Sequence, residues 1–149
     1  MDYTFGPDDA TETVYASVGR PLVSLALAGG VGTLFAYGQT CSGKTLTIGG
    51  MYPMLARDLF KDKALALDRK FHLSFYELLG TSVMDLLYEK ADPEQAAPCL
   101  NILEDKFGKV VVKGATEIEV KDVDHFEKLV AQALRHRKTE TTFKNDSSR

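Results

Sequence analysis

The chain has 149 residues, 44% hydrophobic and 26% charged, with a net charge of −3, which suits one soluble globular domain with a real core and argues against a dedicated nucleic-acid binder. No apolar run approaches the roughly 20 residues of a membrane span, and the N-terminus lacks the charged and apolar regions of a signal peptide. Cys41 and Cys99 stand far apart without metal-ligand spacing, as in proteins of a reducing compartment, and the scattered His72, His125 and His136 read as surface or core histidines.

In chain order, Phe5-Gly6-Pro7-Asp8-Asp9 reads as a turn, and Asp9-Ala10-Thr11-Glu12 as a capping box with an acidic cap. A helix is expected to follow, with Val14, Val18, Leu22 and Leu25 on one face, a kink at Pro21 and a stop at Gly29-Gly30. The apolar run Thr33–Tyr37 reads as a strand. It leads into Gly38-Gln39-Thr40-Cys41-Ser42-Gly43-Lys44-Thr45, the Gly-x-x-x-x-Gly-Lys-Thr spacing of a phosphate-binding loop. The chemistry explains that spacing. Gly38 and Gly43 free the backbone to form a nest of amide hydrogens, and a helix starting near Lys44 adds its positive end. Lys44 supplies a point charge for the outer phosphates, and the Thr45 hydroxyl is the expected magnesium ligand.

The helix from Lys44 is expected to be interrupted around Gly49–Pro53, with helical spacing resuming at Leu55, Leu59 and Phe60. Phe71, Leu73 and Phe75 alternate with polar residues as in a half-buried strand, and a second apolar piece runs from Val83 to Leu87. Lys90–Pro98 reads as an exposed loop. Asn101–Leu103 and Lys109–Val112, joined across Phe107-Gly108, suggest a hairpin. Phe126, Leu129, Val130, Ala133 and Leu134 mark a helix after Asp122 and Asp124. The last dozen residues look polar and unpatterned. There Arg135, Arg137, Lys138, Lys144 and Arg149 outweigh Glu140 and Asp146, which a solvated helix end and an anionic partner explain equally well.

Several stretches, in order, resemble the first half of a kinesin motor domain. These are Phe5–Thr11, Val14-Tyr15 and Arg20–Val23; Gly32–Thr40 leading into Ser42–Thr45; Ser74–Glu77 and Asp85–Leu87; and Arg137, Thr142, Asn145 and Ser147–Arg149 at the spacing of the approach to switch I. Within the family, Asp2–Phe5, Gly50–Tyr52 with Ala56–Phe60, and Leu103–Asp105 look nearest to the microtubule-depolymerising kinesin-13 group. The resemblance spans residues 1–149. It implies an α/β P-loop NTPase fold, a three-layer sandwich of which this is the N-terminal half. The phosphate loop would be residues 38–45 and the start of switch I residues 142–149.

The resemblance further implies an ATP and Mg2+ site. Gly38, Gln39, Thr40, Cys41, Ser42, Gly43, Lys44, Thr45 and Leu46 would hold the nucleotide, with Thr45 and Ser148 on the metal. Asn145, Ser147 and Ser148 would close over the terminal phosphate, and Arg149 would make the ion pair to switch II. Microtubules or tubulin are the implied partner, and the cytoplasm and cytoskeleton the implied location; no nucleic acid or membrane partner is expected. Kinesin-type, microtubule-stimulated ATPase activity is implied for the full-length protein. The alternative is a degenerate kinesin-like module that binds nucleotide without hydrolysis or movement.

Departures from the family pattern carry their own expectations. Cys41, where Gly or Ser is usual, is nearly isosteric with Ser and is expected to react faster than Cys99 and to be shielded by nucleotide. Leu46 replaces an aromatic or His that packs on adenine, at a cost of about 1 kcal/mol in stacking. The Arg-x-Arg-Pro adenine clamp is absent, and the sequence stops before Ser-His and the Asp-x-x-Gly of switch II. A parallel strand without sheet neighbours exposes backbone and apolar faces, so the chain alone is expected to be marginal, prone to associate and inactive as a motor.

Overall fold

The computed structural model describes residues 2–39, 42–61, 69–89 and 98–146, with side chains through Arg137. The chain divides into two compact units, Met1–Arg69 and Lys70–Arg149. Lys90–Ala97 of the expected loop lie outside the described residues.

In the first unit, the turn closes by a reciprocal pair: Asp9 N–H donates to the Gly6 carbonyl at 3.2 Å, and Gly6 N–H donates to Asp9 Oδ2 at 2.6 Å. That engagement corrects the expected capping box. The Asp9 carboxylate is held by the turn, and the helix starts after Ala10 with no side-chain cap. Helix α1 (Thr11–Val14) runs through a π-helical turn, Tyr15–Gly19, into α2 (Arg20–Leu27). The wide turn falls where the Pro21 ring would otherwise press on the carbonyl four residues back. It also shifts the buried stripe by one residue. Tyr15, Gly19 and Val23 face inward, whereas Val14, Val18 and Leu22 are half-buried and Leu25 is exposed.

The end of α2 follows the expected stop. Gly29, at φ 89°, donates its N–H to Ala26 O, and Gly30 N–H reaches Leu25 O, the two bonds of a Schellman cap. Residues 30–39 then run without helix, turn or ladder. The expected strand at Thr33–Tyr37 therefore has no strand neighbour among the described residues, and Val31, Phe35 and Tyr37 stand exposed.

Helix α3 spans Lys44–Leu59 without the interruption expected at Gly49–Pro53. Pro53 costs one backbone bond and crowds the carbonyl of residue 49. That residue is a glycine whose Cβ position has no neighbour within 4 Å, so local adjustment is cheap. Packing holds the helix together: Met51 and Ala56 are buried, and Gly50 lies so close to Thr11 that an added Cβ would sit 3.1 Å from the Thr11 methyl.

The second unit is built from antiparallel pairs. Strand β1 (Phe71–Leu73) pairs with β6 (Ile118–Val120), with Phe71 opposite Val120. Strands β2 (Tyr76–Leu79), β3 (Ser82–Asp85), β4 (Cys99–Glu104) and β5 (Val110–Lys113) form a meander in that order. The expected hairpin is present in register, Ile102 opposite Val112 and Leu103 opposite Val111. Asp105 closes its turn by accepting from Phe107 N–H and Lys109 N–H, while Gly108 takes φ 77°.

Helix α4 covers Val123–Asp146, longer than the pattern suggested, because it continues through the polar tail. Asp122 caps it by accepting from His125 N–H at 2.7 Å, and the His125 ring accepts from Lys121 N–H. Its apolar face is the expected one: Phe126, Leu129, Val130 and Ala133 are buried and Leu134 half-buried. The same unit buries Val83, Met84, Leu86, Leu87, Leu100 and Val120. His136 Nδ1 lies 3.0 Å from Leu86 O, and Arg137 Nε donates to Glu77 Oε1 at 2.9 Å, so the helix is tied to β2 and to the residue just beyond β3.

Candidate functional site

The described residues of the expected phosphate loop, 38, 39 and 42–45, are brought together by a short pivot. Ser42 N–H donates to Gln39 O at 3.2 Å, which closes the loop. Gly43, at φ 87°, swings the backbone through the left-handed region into α3. Gly38 is needed for space: a Cβ there would lie 2.7 Å from Ser42 Oγ. Thr40 and Cys41 lie outside the described residues.

Helix α3 opens with its donors free. No side chain caps it, its first turn holds no acidic residue, and Thr47 N–H makes the first bond, to Gly43 O at 2.9 Å. The amides of Lys44, Thr45 and Leu46 therefore precede the first intrahelical partner and carry the positive end of a four-turn helix. Lys44 folds back over the loop, donating from Nζ to Gly38 O and Gln39 O at 2.6 Å each, with Ser42 Oγ at 3.5 Å. Those carbonyls hold the ammonium beside the converging amides, where an anion would meet both. The Thr45 hydroxyl is exposed on the first turn, and Leu46 is 79% exposed.

The remaining sequence-assigned residues are placed less fully. The backbone of Asn145 lies in the last turn of α4, and Ser147, Ser148 and Arg149 lie outside the described residues.

A polar cluster in the same unit was not anticipated. Tyr15, only 2% exposed, donates its hydroxyl to Asp58 Oδ2 at 2.9 Å. Arg20 Nε donates to that oxygen at 3.1 Å, and its guanidinium lies 5.7 Å from the Tyr15 ring centre. Burial, followed by the bond to Asp58 and that residue's charge, pushes the Tyr15 hydroxyl well above its usual range against the opposing Arg20 charge. Burial would also raise Asp58, but the bonds from Tyr15 and Arg20, with the charges of Arg20 and Lys61, outweigh it and hold the carboxyl below its usual range. The cluster joins the π turn to the far end of the phosphate-loop helix. Forty-three residues separate Tyr15 from Asp58, so no local pattern could show the pair. The nearest sequence hint was a tyrosine one place off the apolar stripe.

Asp85 was also missed. It is 2% exposed and accepts from Leu87 N–H at 2.9 Å and Thr116 N–H at 2.7 Å, a structural role. A lone carboxylate inside the apolar run Val83–Leu87 was its signal. Among the described residues no group of His, Cys, Asp and Glu has the arrangement of a metal site, and no helix is long and apolar enough to cross a membrane.

A glycine-pivoted loop feeding the uncapped N-terminus of a helix, with a lysine folded over the amides, defines the class of phosphate-loop nucleotide-binding folds. The kinesin motor domain family matches residues 1–149, and the chain belongs to that family. It is 34% identical to Diatom spindle kinesin-1 of Cylindrotheca fusiformis over 99% of its own length and 23% of that protein. It is 35% identical to the Kinesin-like protein NACK2 of Nicotiana tabacum, again over 99% of the chain and 15% of the relative. A KIF14 dimer, solved in a two-heads-bound state with AMP-PNP in complex with a microtubule, superposes with a TM-score of 0.74 at 25% identity. That match covers 91% of this chain and 40% of the KIF14 chain. The mixed helix and strand content is that of a partial kinesin motor fold. The chain spans less than a quarter of the length of these two curated relatives.

Proposed function

We propose that this chain is the ATP-binding portion of a microtubule-associated kinesin motor, residues 1–149 being part of the motor domain and residues 38–45 its phosphate loop. The observation that carries this reading is the open start of α3. Three uncapped amides, the Gly43 pivot and Lys44 converge on one spot with no competing carboxylate in the first turn. The microtubule partner and the cytoskeletal, cytoplasmic location rest on family membership and on the KIF14 neighbour bound to a microtubule with AMP-PNP.

The residues fit a magnesium nucleotide. The loop amides and Lys44 would hold the phosphates, and the exposed Thr45 hydroxyl, with Ser148, would hold the metal. When bound, the metal neutralises charge on the outer phosphates. The chain's own contribution is orientation and preorganised positive charge, which is most of what phosphoryl transfer requires. Lys44 would exchange its two carbonyl acceptors for phosphate oxygens. Asn145, Ser147 and Ser148 would close over the terminal phosphate, and Arg149 would link this closure to the rest of the motor. The finer likeness to microtubule-depolymerising kinesins rests on the short stretches at Asp2–Phe5, Gly50–Tyr52 and Leu103–Asp105. Shortening of stabilised microtubules by the full-length protein is the assay for it.

The test is a fluorescent ATP titration of the chain with Mg2+, alongside Lys44→Ala. Saturable binding weakened about 100-fold by the variant, close to 3 kcal/mol, is expected for loss of a charge-assisted phosphate contact. Equal binding by both proteins, or none by either, overturns the assignment.

A further inference from the structure

Strand β2 is covered the wrong way round for its composition. Tyr76, Leu78 and Leu79 are 41%, 62% and 39% exposed, whereas Glu77 is half-buried. The Glu77 side chain keeps only 16% of its accessible surface, and its Oε1 accepts from Arg137 Nε at 2.9 Å across 60 residues of sequence. Opposite Glu77 in the ladder stands Met84, itself buried. A carboxylate covered while its apolar neighbours stay in water runs against the hydrophobic ordering of the strand. It costs desolvation, which points to a specific task for the pair.

The same hairpin holds α4 a second time. His136 Nδ1 lies 3.0 Å from Leu86 O, and Leu86 N–H donates to Phe75 O at 2.8 Å, which extends the β2–β3 pairing one step beyond Tyr76 opposite Asp85. Both anchors thus grip the base of one hairpin, where Leu86 and Leu87 are buried. They stand where the apolar face of the helix gives out: among the described side chains Ala133 is its last buried one, and Leu134 is half-buried. From residue 138 the helix runs nine residues further to Asp146, through Thr139, Thr141, Thr142 and Asn145, residue types that hold a helix weakly. Asn145 lies eight residues beyond Arg137, about 12 Å along the axis at roughly 1.5 Å per residue. An error of direction at Arg137 is carried over the whole of that distance.

We propose that Glu77 is a positioning residue for closure over the nucleotide. By holding Arg137, with His136 on the Leu86 carbonyl, it fixes the direction in which α4 delivers Asn145, Ser147 and Ser148. The inference rests on the reading of residues 142–149 as the start of switch I. It also divides the basic tail, since Arg137 serves an internal carboxylate where the sequence left an anionic partner equally open. Glu77 acts through Arg137 and needs no contact with the nucleotide. The phosphate loop belongs to the other unit, so losing the pair leaves the loop amides and Lys44 intact. Capture of the nucleotide and closure over it therefore separate, and only the second depends on Glu77.

Steady-state ATP turnover and hydrogen exchange of the full-length protein test this. The variants are Glu77→Ala, the charge exchange Glu77→Arg with Arg137→Glu, and the control Lys70→Ala, which breaks the exposed Lys70–Glu119 pair of the same unit. In Glu77→Ala, kcat is expected to fall about fivefold or more with KM for ATP held within about twofold, because only orientation is lost. Amides 138–146 should exchange about threefold faster or more while those of 126–134 keep their protection. The charge exchange restores both readouts toward wild type, and the control leaves both unchanged. Unchanged kcat, faster exchange along the whole of α4, or a charge exchange that restores nothing would each overturn the proposal, the second because it marks a pair that merely stabilises the fold. A wild-type protein that binds no ATP overturns the functional reading, and closure with it. The exchange pattern, which needs no nucleotide, tells that failure from a failure of Glu77 to orient the end of α4.

Discussion

The two units of this chain solve the same problem differently. Lys70–Arg149 pairs most of its strands with near neighbours in sequence, β2 with β3, β3 with β4 and β4 with β5, through turns such as Asp105–Gly108, while β1 pairs with the distant β6. Its strands all have ladder partners within the unit, and a buried Asp85 takes up two further amides. In Met1–Arg69, by contrast, two helical segments pack on each other while the segment they flank has no ladder partner among the described residues. Antiparallel meanders need only local closure, whereas a strand feeding a phosphate loop belongs to a sheet whose neighbours come from far along a chain or from another chain. The loop proposed to bind nucleotide is thus carried by the unit whose extended segment has no ladder partner among the described residues, and what orders the loop is the helix behind it.

Breaking the closed unit should cost most. Leu87 is fully buried, and Leu87→Ala is expected to lower stability by about 2–5 kcal/mol through lost burial and a residual cavity, read as an earlier urea midpoint by circular dichroism. A loss below about 1 kcal/mol would mean that the core relaxes around the site.

The helical pair of the first unit offers a smaller test. An added Cβ on Gly19 would lie 2.5 Å from the Tyr15 ring, so Gly19→Ala should destabilise by about 1–3 kcal/mol. Ala at half-buried Gly49, where nothing lies within 4 Å of an added Cβ, should be neutral or stabilising by comparison. Similar costs at both positions would show that the π turn is not holding Tyr15 in place.

Tyr15→Phe removes a hydrogen bond to a carboxylate at unchanged shape, for about 1–2 kcal/mol. Its signature is in pH. Asp58 sits below its ordinary value in the folded chain, so its contribution is present above about pH 4 and disappears as acid protonates it. Tyr15 sits above its ordinary value, so its contribution is present below about pH 10 and fades as alkali ionises the unfolded chain first. Thermal melts between pH 3 and pH 11 should show the variant losing the alkaline decline and part of the acid one. Parallel profiles for the two proteins would remove the cluster from the stability account.

Much of the loop geometry at the start of α3 was legible because its information is local. Glycines at two fixed offsets, a lysine and a hydroxyl residue favour a tight loop and a helix start within eight positions, and α3 does begin at Lys44 after a left-handed Gly43. The Gly29-Gly30 stop, the Gly108 hairpin turn and the face of α4 were legible for the same reason. The misreadings occur where packing or pairing outvotes a local signal. Asp9 reads as a cap yet closes a turn with Gly6, and Pro53 reads as a break yet lies inside a helix held by Met51 and Ala56.

By itself, then, the sequence determined the family and the apolar face of α4, and it pointed to residues 38–45 as the candidate phosphate loop. Only the tertiary structure decided that Tyr15 and not Val14 faces inward and that Asp58 is its partner. The reason is physical. A π turn moves a helix face by one residue without changing composition, and a hydrogen bond across 43 residues exists only once the chain is folded.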